Sequence, residues 1–178
     1  RFIGLATSPV GRPRNILFIQ LAEMGTMVVA YPALRKAREL HPDAALHFLC
    51  FTHIRSSVEM LEIIPSENII TVDPHSGLSL VRDTLRFLWR ARRRRIDTVI
   101  NLEAFVRYSS MLSYLSGAFR RVGFHRFNQE GLYAGDLLTH KVLHNAHIHA
   151  AHTFLDLVHA LDSAPDQVPL VKRPRAMD

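Results

Sequence analysis

The first residues that could carry chemistry are Glu23-Met24-Gly25-Thr26, directly after an apolar, β-forming run at 15–21. Gly25 allows a ligand close to the backbone, and the helix that starts there offers N–H groups to an anion. Because α/β domains commonly have such a turn, the group alone is a weak indication of a ligand site. The sequence has neither G-x-G-x-x-G nor a Walker A pattern, which disfavours standard dinucleotide and P-loop sites.

A second group, Glu103 and Arg107, follows the apolar run 98–102. A carboxylate and a guanidinium at the end of a strand can act as a base and as a clamp for an anion. Taken without further context, a surface Glu/Arg pair beside a strand end is the simpler interpretation.

The elements that must position these groups alternate along the chain. Apolar patterning predicts strands at 15–21, 46–51, 69–72, 98–102 and 121–124, and helices at 27–40, 54–64, 78–95, 109–115 and 145–161. Pro32 is expected to kink the first helix or delay its first turn. This alternation indicates an α/β fold, a Rossmann-like parallel sheet of about five strands with helices on both faces. The carboxyl ends of parallel strands share one edge, where both groups are expected to lie.

Composition and length favour one folded domain. The chain has 178 residues, 48% hydrophobic and 21% charged, with one cysteine, Cys50, which rules out disorder and a disulfide scaffold. Cys50 lies in an apolar run and is expected to be buried. We expect a leader at 1–14, the Rossmann-like domain at 15–162 and a linker at 163–178.

The formal net charge of +6 favours anionic partners. The densest basic segment is Trp89-Arg90-Ala91-Arg92-Arg93-Arg94-Arg95, at the end of the predicted helix 78–95. Cations there complement the helix dipole, which is the simpler explanation of the run. The alternative partner is an anionic membrane surface; nucleic acid is disfavoured because no groove-reading or aromatic-interleaved element accompanies the run.

Five histidines lie between 140 and 152. His140, His144 and His147 have the i, i+4, i+7 spacing that could place two imidazoles on one metal. With no H-E-x-x-H pattern and no nearby cysteine, no metal is expected, and capping, core hydrogen bonding or acceptor contact is favoured.

Several segments, in a fixed order, resemble the ADP-heptose:lipopolysaccharide heptosyltransferases of glycosyltransferase family 9. They are Ile16 to Thr26, Tyr31 to Arg35, His41 to Ala44, Ile96 to Glu103, Leu115 to Phe124, and His152 with Phe154 to Leu157. The segment 96–103 looks like the family's YDLVIDLQG strand, and 115–124 looks like LSGAKRRIGF. The resemblance extends over residues 15–161.

The resemblance implies the N-terminal, acceptor-side half of a GT-B glycosyltransferase, with the donor site in a C-terminal domain that this chain does not supply. Such enzymes transfer a sugar from a nucleotide-diphosphate donor, such as ADP-heptose, with inversion and without a metal or other cofactor. The implied acceptor is an anionic glycolipid, the lipopolysaccharide inner core, at the cytoplasmic face of the bacterial inner membrane.

The resemblance also assigns residues. The family's base is an Asp directly after the Gly of the first loop, and here that position is Thr26. Either Glu23 or Glu103 replaces it, or this member has changed its acceptor or lost activity. The acceptor-binding positions carried over are Gly25, Met27, Arg107 and Arg126.

Two other functions remain open. One is a catalytically inactive glycan- or nucleotide-binding module with the same fold, and the other is an unrelated Rossmann-like domain that binds a nucleotide by itself. Rescue of activity by Thr26→Asp would indicate a decayed enzyme. Loss of activity in Glu23→Gln would indicate that the base has moved to Glu23. Tight binding of ADP by this chain would indicate an unrelated domain that binds a nucleotide by itself.

Overall fold

The computed structural model describes residues 11–21, 24–104, 106–127, 137–144 and 147–163, with the backbone alone at 24, 126 and 127. Glu23 and the side chain of Arg126 therefore lie outside the described part of the chain. So do most of the predicted leader, 1–14, and of the predicted linker, 163–178.

Six parallel strands form one sheet in the order β3-β2-β1-β4-β5-β6. The strands are β1 (Asn15–Ile19), β2 (Ala45–Phe51), β3 (Ile69–Val72), β4 (Thr98–Asn101), β5 (Arg120–Phe127) and β6 (His140–His144). The predicted α/β class and parallel sheet are confirmed, and all five predicted strands are present. The sixth, β6, was missed because this edge strand has the sequence HKVLH, with two apolar residues between histidines.

Five α-helices connect or cover the strands. They are α1 (Met24–Leu40), α2 (Arg55–Glu59), α3 (Gly77–Arg93), α4 (Arg107–Leu115) and α5 (Ala150–His159), with 3₁₀ turns at Thr52–Ile54, Ser66–Asn68 and Ala160–Asp162. The predicted delay at Pro32 is wrong, because α1 begins at Met24 and continues through Pro32, which is exposed. The second predicted helix is too long: α2 ends at Glu59.

The sheet buries both faces, as its short apolar strands require. Side chains alternate along β1, so that Ile16 and Phe18 belong to the core beneath α1 and α5, and Leu17 and Ile19 to the core beneath α3 and α4. Cys50 is 0% exposed in the first of these cores, as predicted. Burial raises the pKa of its thiol to about 12.

A polar cluster lies at the amino ends of the strands, opposite the edge formed by their carboxyl ends. Arg94, just after α3, donates from Nη1 to Nδ1 of His47 at 3.2 Å and to the amide oxygen of Asn68, and from Nη2 to the Glu67 carbonyl at 2.7 Å. Burial, helped by the Arg94 charge, lowers the pKa of His47 to about 4. The imidazole is therefore neutral at pH 7 and accepts from the guanidinium.

Candidate active site

A cavity of about 730 Å³ lies at the carboxyl edge of the sheet, beside the ends of β1 and β4. β1 and β4 are neighbours at the middle of the sheet. The next strand after β1 is β2, toward one edge of the sheet, and the next strand after β4 is β5, toward the other edge. Such a switch in strand order is where open α/β sheets bind ligands. The cavity is lined by Gln20, Gly25, Thr26, Val29, Leu102, Glu103, Ala104, Val106, Phe124, His144, Ala150, Thr153 and Phe154.

Glu103 is fixed at the wall of this cavity by donors from the neighbouring strand. Its Oε1 accepts the Leu21 N–H at 2.6 Å and the Gln20 side-chain amide at 3.1 Å. Its own N–H donates to Oδ1 of Asn101 at 3.1 Å, and the buried Asn101 amide donates to Oγ of Ser109 at 3.0 Å. The half-buried carboxylate therefore has a defined position that depends on both β1 and β4.

The start of α1 forms a second wall. Gly25 and Thr26 lie in its first turn, at the end of the helix where backbone N–H groups point outward along the axis. A Cβ placed on Gly25 would meet no heavy atom within 4 Å, so the backbone there is open to a ligand. From Met24 onward this first turn contains no acidic residue, and the Thr26 hydroxyl is too weakly basic to replace a carboxylate.

Aromatic rings form the far side of the cavity. Phe124 of β5 contacts the His144 ring edge-on, with centroids 5.1 Å apart, and the Phe154 ring at 6.3 Å. Burial lowers the pKa of His144, so its imidazole is neutral at pH 7. A neutral imidazole can accept a hydrogen bond or a proton.

Two deeply buried polar side chains of the wall have unmet hydrogen-bonding capacity. Gln20 and Thr153 are each 2% exposed, and Oε1 of Gln20 and Oγ1 of Thr153 contact no donor or acceptor among the described residues. Buried polar atoms are bonded in the great majority of cases. Both atoms are almost fully covered by protein, so neither is open to a ligand in this arrangement of the wall.

Three of the predicted site residues come together at this cavity: Gly25, Thr26 and Glu103. Arg107 is exposed at the start of α4, next to Val106 of the wall but not on the wall itself.

Met27 requires a correction to its predicted place. The side chain is 1% exposed and packs in the core beneath α1, because one residue along a helix turns by about 100° and carries it from the cavity side to the sheet side.

The histidines take separate roles. His140 and His144 lie in β6, so their spacing is not helical, and His149 caps α5 by accepting the Ala151 N–H at 3.2 Å. The Nδ1 of His140 shares a hydrogen bond with the Thr139 hydroxyl at 2.9 Å. Within the described residues, no three His, Cys, Asp or Glu side chains are grouped as metal ligands would be.

Sequence reasoning missed several wall residues. Gln20 had a signal, since it is a polar residue near the end of the first apolar run, 15–21. His144 belonged to the histidine group for which acceptor contact was one interpretation. Thr153 gave no local signal, because it reaches the cavity only through the packing of α5 against α1, and Phe154 was named only within the segment 154–157 of the family resemblance.

Comparison with solved structures identifies similar folds. The E. coli heptosyltransferase WaaC with ADP-2-deoxy-2-fluoro heptose superposes with a TM-score of 0.67 at 15% identity, over 89% of this chain and 50% of that chain. The E. coli ADP-heptose lps heptosyltransferase II gives a TM-score of 0.65 at 15% identity, over 87% of this chain and 45% of that chain. A glycosyltransferase of family 9 from Veillonella parvula gives a TM-score of 0.65 at 19% identity, over 84% of this chain and 41% of that chain.

The chain has a heptosyltransferase-like α/β fold. It spans about half the length of the heptosyltransferases that it matches. No family model and no curated protein matches the sequence. In the described residues, no helix is both long and apolar enough to cross a membrane.

Proposed function

We propose that the chain is the acceptor-binding half of a glycosyltransferase that moves a sugar from a nucleotide-diphosphate donor to an anionic glycolipid. One observation carries the proposal: a carboxylate, Glu103, is held at the wall of a large cavity at the switch point of the sheet. The likeness in fold to heptosyltransferases supports this chemistry over others that the same sheet could host.

The reaction requires a base on the acceptor side. The acceptor oxygen attacks the anomeric carbon, the bond from that carbon to the diphosphate breaks, and the configuration at the carbon inverts. The hydroxyl proton must pass to a protein group as the new bond forms. Glu103 is our candidate for that base, because it is the carboxylate on the described cavity wall. Glu23 remains the other carboxylate candidate, and neutral His144 is a third acceptor of a proton in the same cavity.

In this proposal the acceptor's hydroxyl groups lie against the part of the cavity wall that Gln20 and Thr153 help to form. Arg107 and Arg126 bind the acceptor's anionic groups, in keeping with the net charge of +6. Arg107 is exposed and directly follows Val106 of the cavity wall.

The donor, ADP-heptose or a related nucleotide sugar, is bound mainly outside this chain in the proposal. The protein then works on the cytoplasmic side of a bacterial inner membrane, in the synthesis of lipopolysaccharide or a related envelope glycan. No metal is proposed, because the leaving diphosphate is stabilised by cations of the donor-binding half.

A transfer assay tests the proposal. The protein at its natural length is incubated with ADP-heptose and heptose-deficient lipopolysaccharide, and the rate for wild type is compared with Glu103→Gln. We expect kcat to fall by about 10²–10⁴-fold, the usual contribution of a general base. Glu39→Gln, an exposed change on α1, is the matched control and should leave the rate unchanged.

Two further variants separate the alternatives. If Thr26→Asp creates activity in an inactive wild type, the protein is a decayed enzyme. If Glu23→Gln abolishes transfer and Glu103→Gln does not, the base is Glu23. Binding of the acceptor without transfer in any variant would favour a non-catalytic glycan-binding module. Tight binding of ADP by the 178-residue chain alone would favour an independent nucleotide-binding domain.

A further inference from the structure

Apolar side chains are unusually exposed on one layer of the domain. Twelve large apolar side chains of the described residues are exposed, and eight of them belong to α3, α4 or the turn after α4. These eight are Leu78, Val81, Leu85, Trp89, Met111, Tyr114, Leu115 and Phe119. The two helices are neighbours, tied by the hydrogen bond between the Thr84 and Tyr108 hydroxyls at 2.7 Å. Exposed apolar patches of this kind mark interaction surfaces.

The four residues of α3 form a single stripe, Leu78, Val81, Leu85 and Trp89, which we call the α3 stripe. At 3.6 residues per turn, Leu78, Leu85 and Trp89 fall within about 40° of one another around the helix axis. Phe87, which is fully buried, lies on the opposite side. The α3 stripe thus points directly away from the core, and Leu78 is 82% and Trp89 58% exposed.

Arginines flank the α3 stripe. The helix carries five arginines and one acidic residue, Asp83, whose carboxylate is paired with Arg82 and Arg86. Arg90, Arg92 and Arg93 are exposed toward its end, and the guanidinium of Arg93 stacks on the Trp89 ring at 5.2 Å. A long helix with an outward apolar stripe and a cationic flank is typical of helices that lie in a membrane interface.

We propose that the α3 stripe and its arginines are the surface by which this domain binds an anionic lipid bilayer. Apolar side chains and Trp89 enter the headgroup region, and the arginines bind lipid phosphates. Charge selects this occupant over a second copy of the chain, because α3 of a second copy offers these arginines a single carboxylate, Asp83, which is already paired with Arg82 and Arg86.

The position of α3 fits a lipid-borne acceptor. Helix α3 follows β3 and begins at the carboxyl edge of the sheet, so Leu78 lies at the same edge as the cavity. The cavity wall, however, is contributed by α1 and α5 on the opposite face of the sheet. A bilayer against α3 therefore meets the face of the sheet opposite α1 and α5, and leaves their side of the cavity uncovered. The inference rests on the proposed function and extends it. Because bilayer binding is measured without sugar transfer, the bilayer surface and the glycosyltransferase activity can be disproved independently.

The chain contains its own probe, because Trp89 is its single tryptophan. We expect its fluorescence emission to shift to shorter wavelength when the 178-residue chain meets phosphatidylcholine vesicles that contain phosphatidylglycerol. Vesicles of phosphatidylcholine alone should give little shift. Added salt should weaken binding, because the arginine contribution is electrostatic.

Paired variants test the two parts of the surface. Arg90→Gln with Arg92→Gln should weaken vesicle binding by about 30-fold, at about fivefold per charge. The control Arg12→Gln with Arg35→Gln removes the same charge from exposed positions elsewhere and should have a much smaller effect. Leu85→Gln should weaken binding by about tenfold. Met60→Gln, at an apolar position that is 81% exposed on another part of the surface, should not.

Several results would overturn the proposal. They are an unchanged Trp89 emission with anionic vesicles, equal binding to neutral vesicles, or equal losses in the α3 variants and their controls. An emission shift that depends on protein concentration without lipid would assign the surface to a second copy. A shift in Trp89 emission caused by nucleic acid but not by vesicles would show that the α3 stripe and its arginines bind nucleic acid instead. Circular dichroism of each variant confirms folding, which these exposed substitutions should leave intact.

Discussion

The Oε1 atom of Glu103 accepts the backbone N–H of Leu21 at 2.6 Å, which joins the residue after β4 to the end of β1. The same oxygen accepts the Gln20 side-chain amide at 3.1 Å. The carboxylate is thereby both a structural link across the edge of the sheet and a candidate base in the cavity. Substitutions that preserve the link and remove the charge can separate these two roles.

Glu103→Ala and Glu103→Gln should both lose transfer activity, and Glu103→Ala should lose more stability than Glu103→Gln. Ala removes the acceptor for two N–H groups and should lower the free energy of unfolding by about 1–3 kcal/mol. Gln keeps one oxygen for Leu21 and should cost less, but it cannot take a proton. Denaturant unfolding of both variants, set beside their transfer rates, is the check. If activity follows stability through the series, Glu103 is a structural residue only.

Gly25→Val should block the cavity without harming the fold. The position has open space for a Cβ, and Val is better tolerated than Gly in a helix, so the melting temperature should be unchanged or slightly higher. Acceptor KM should rise, because the new side chain stands where a ligand approaches the backbone. Gly77→Val at the start of α3 is the matched control, since that glycine is equally open and lies off the cavity wall. Equal effects of the two substitutions would place the ligand elsewhere.

The domain should lose stability as the pH falls from about 6.5 toward 4. Burial lowers the pKa of His47 from 6.5 to about 4, so the unfolded chain binds more protons than the folded one in that interval. The contribution of His47 to the free energy of unfolding is fully present above pH 6.5. It decreases as the pH falls from 6.5 to about 4, by at most about 3 kcal/mol.

His47→Gln should reduce this acid sensitivity, because Gln can still accept from Arg94 and does not titrate. The measurement is urea unfolding between pH 7 and pH 4, with the exposed His152→Gln as control. Part of the dependence should persist, since burial also lowers the pKa of His41, His140 and His144. An unchanged pH profile in His47→Gln would show that His47 is protonated in the folded state at no cost.

Cys50 should be inert toward thiol reagents in the folded protein. Its side chain is fully buried, and burial raises the pKa of the thiol to about 12, so almost no thiolate exists at pH 8. Labelling with a chromogenic disulfide reagent should be slow in buffer and immediate in denaturant. Rapid labelling in buffer would mean that β2 opens readily.

The alternation of apolar runs was sufficient to predict the α/β class and the first five strands, because each of these strands contains a short apolar stretch that is buried in the sheet. The family resemblance is confirmed at the level of the fold. Strand β6 escaped prediction because its histidines obscure the pattern. The spacing of Leu78, Val81 and Leu85 predicted α3 as a helix, yet these residues face outward and Phe87 and Ala91 face the core.

For the site, proximity to strand ends placed Gly25, Thr26 and Glu103 together, as the topology of a parallel sheet dictates. Met27 was misplaced because the sequence does not fix which side of α1 faces the sheet within its first turn. Thr153 could not be found at all, since its position depends on how α5 packs on α1. Which of Glu23 and Glu103 takes the proton stays a prediction.

The most direct measurement is where the acceptor binds. The ¹⁵N-labelled 178-residue chain is titrated with a heptose-free, phosphorylated lipopolysaccharide inner-core saccharide, and backbone amide shifts are followed by NMR. We predict shifts at Leu21, Gly25 and Glu103, with none at His47 on the opposite edge of the sheet. Shifts confined to another surface, or shifts at this edge produced by ADP and not by the saccharide, would contradict an acceptor site in this cavity.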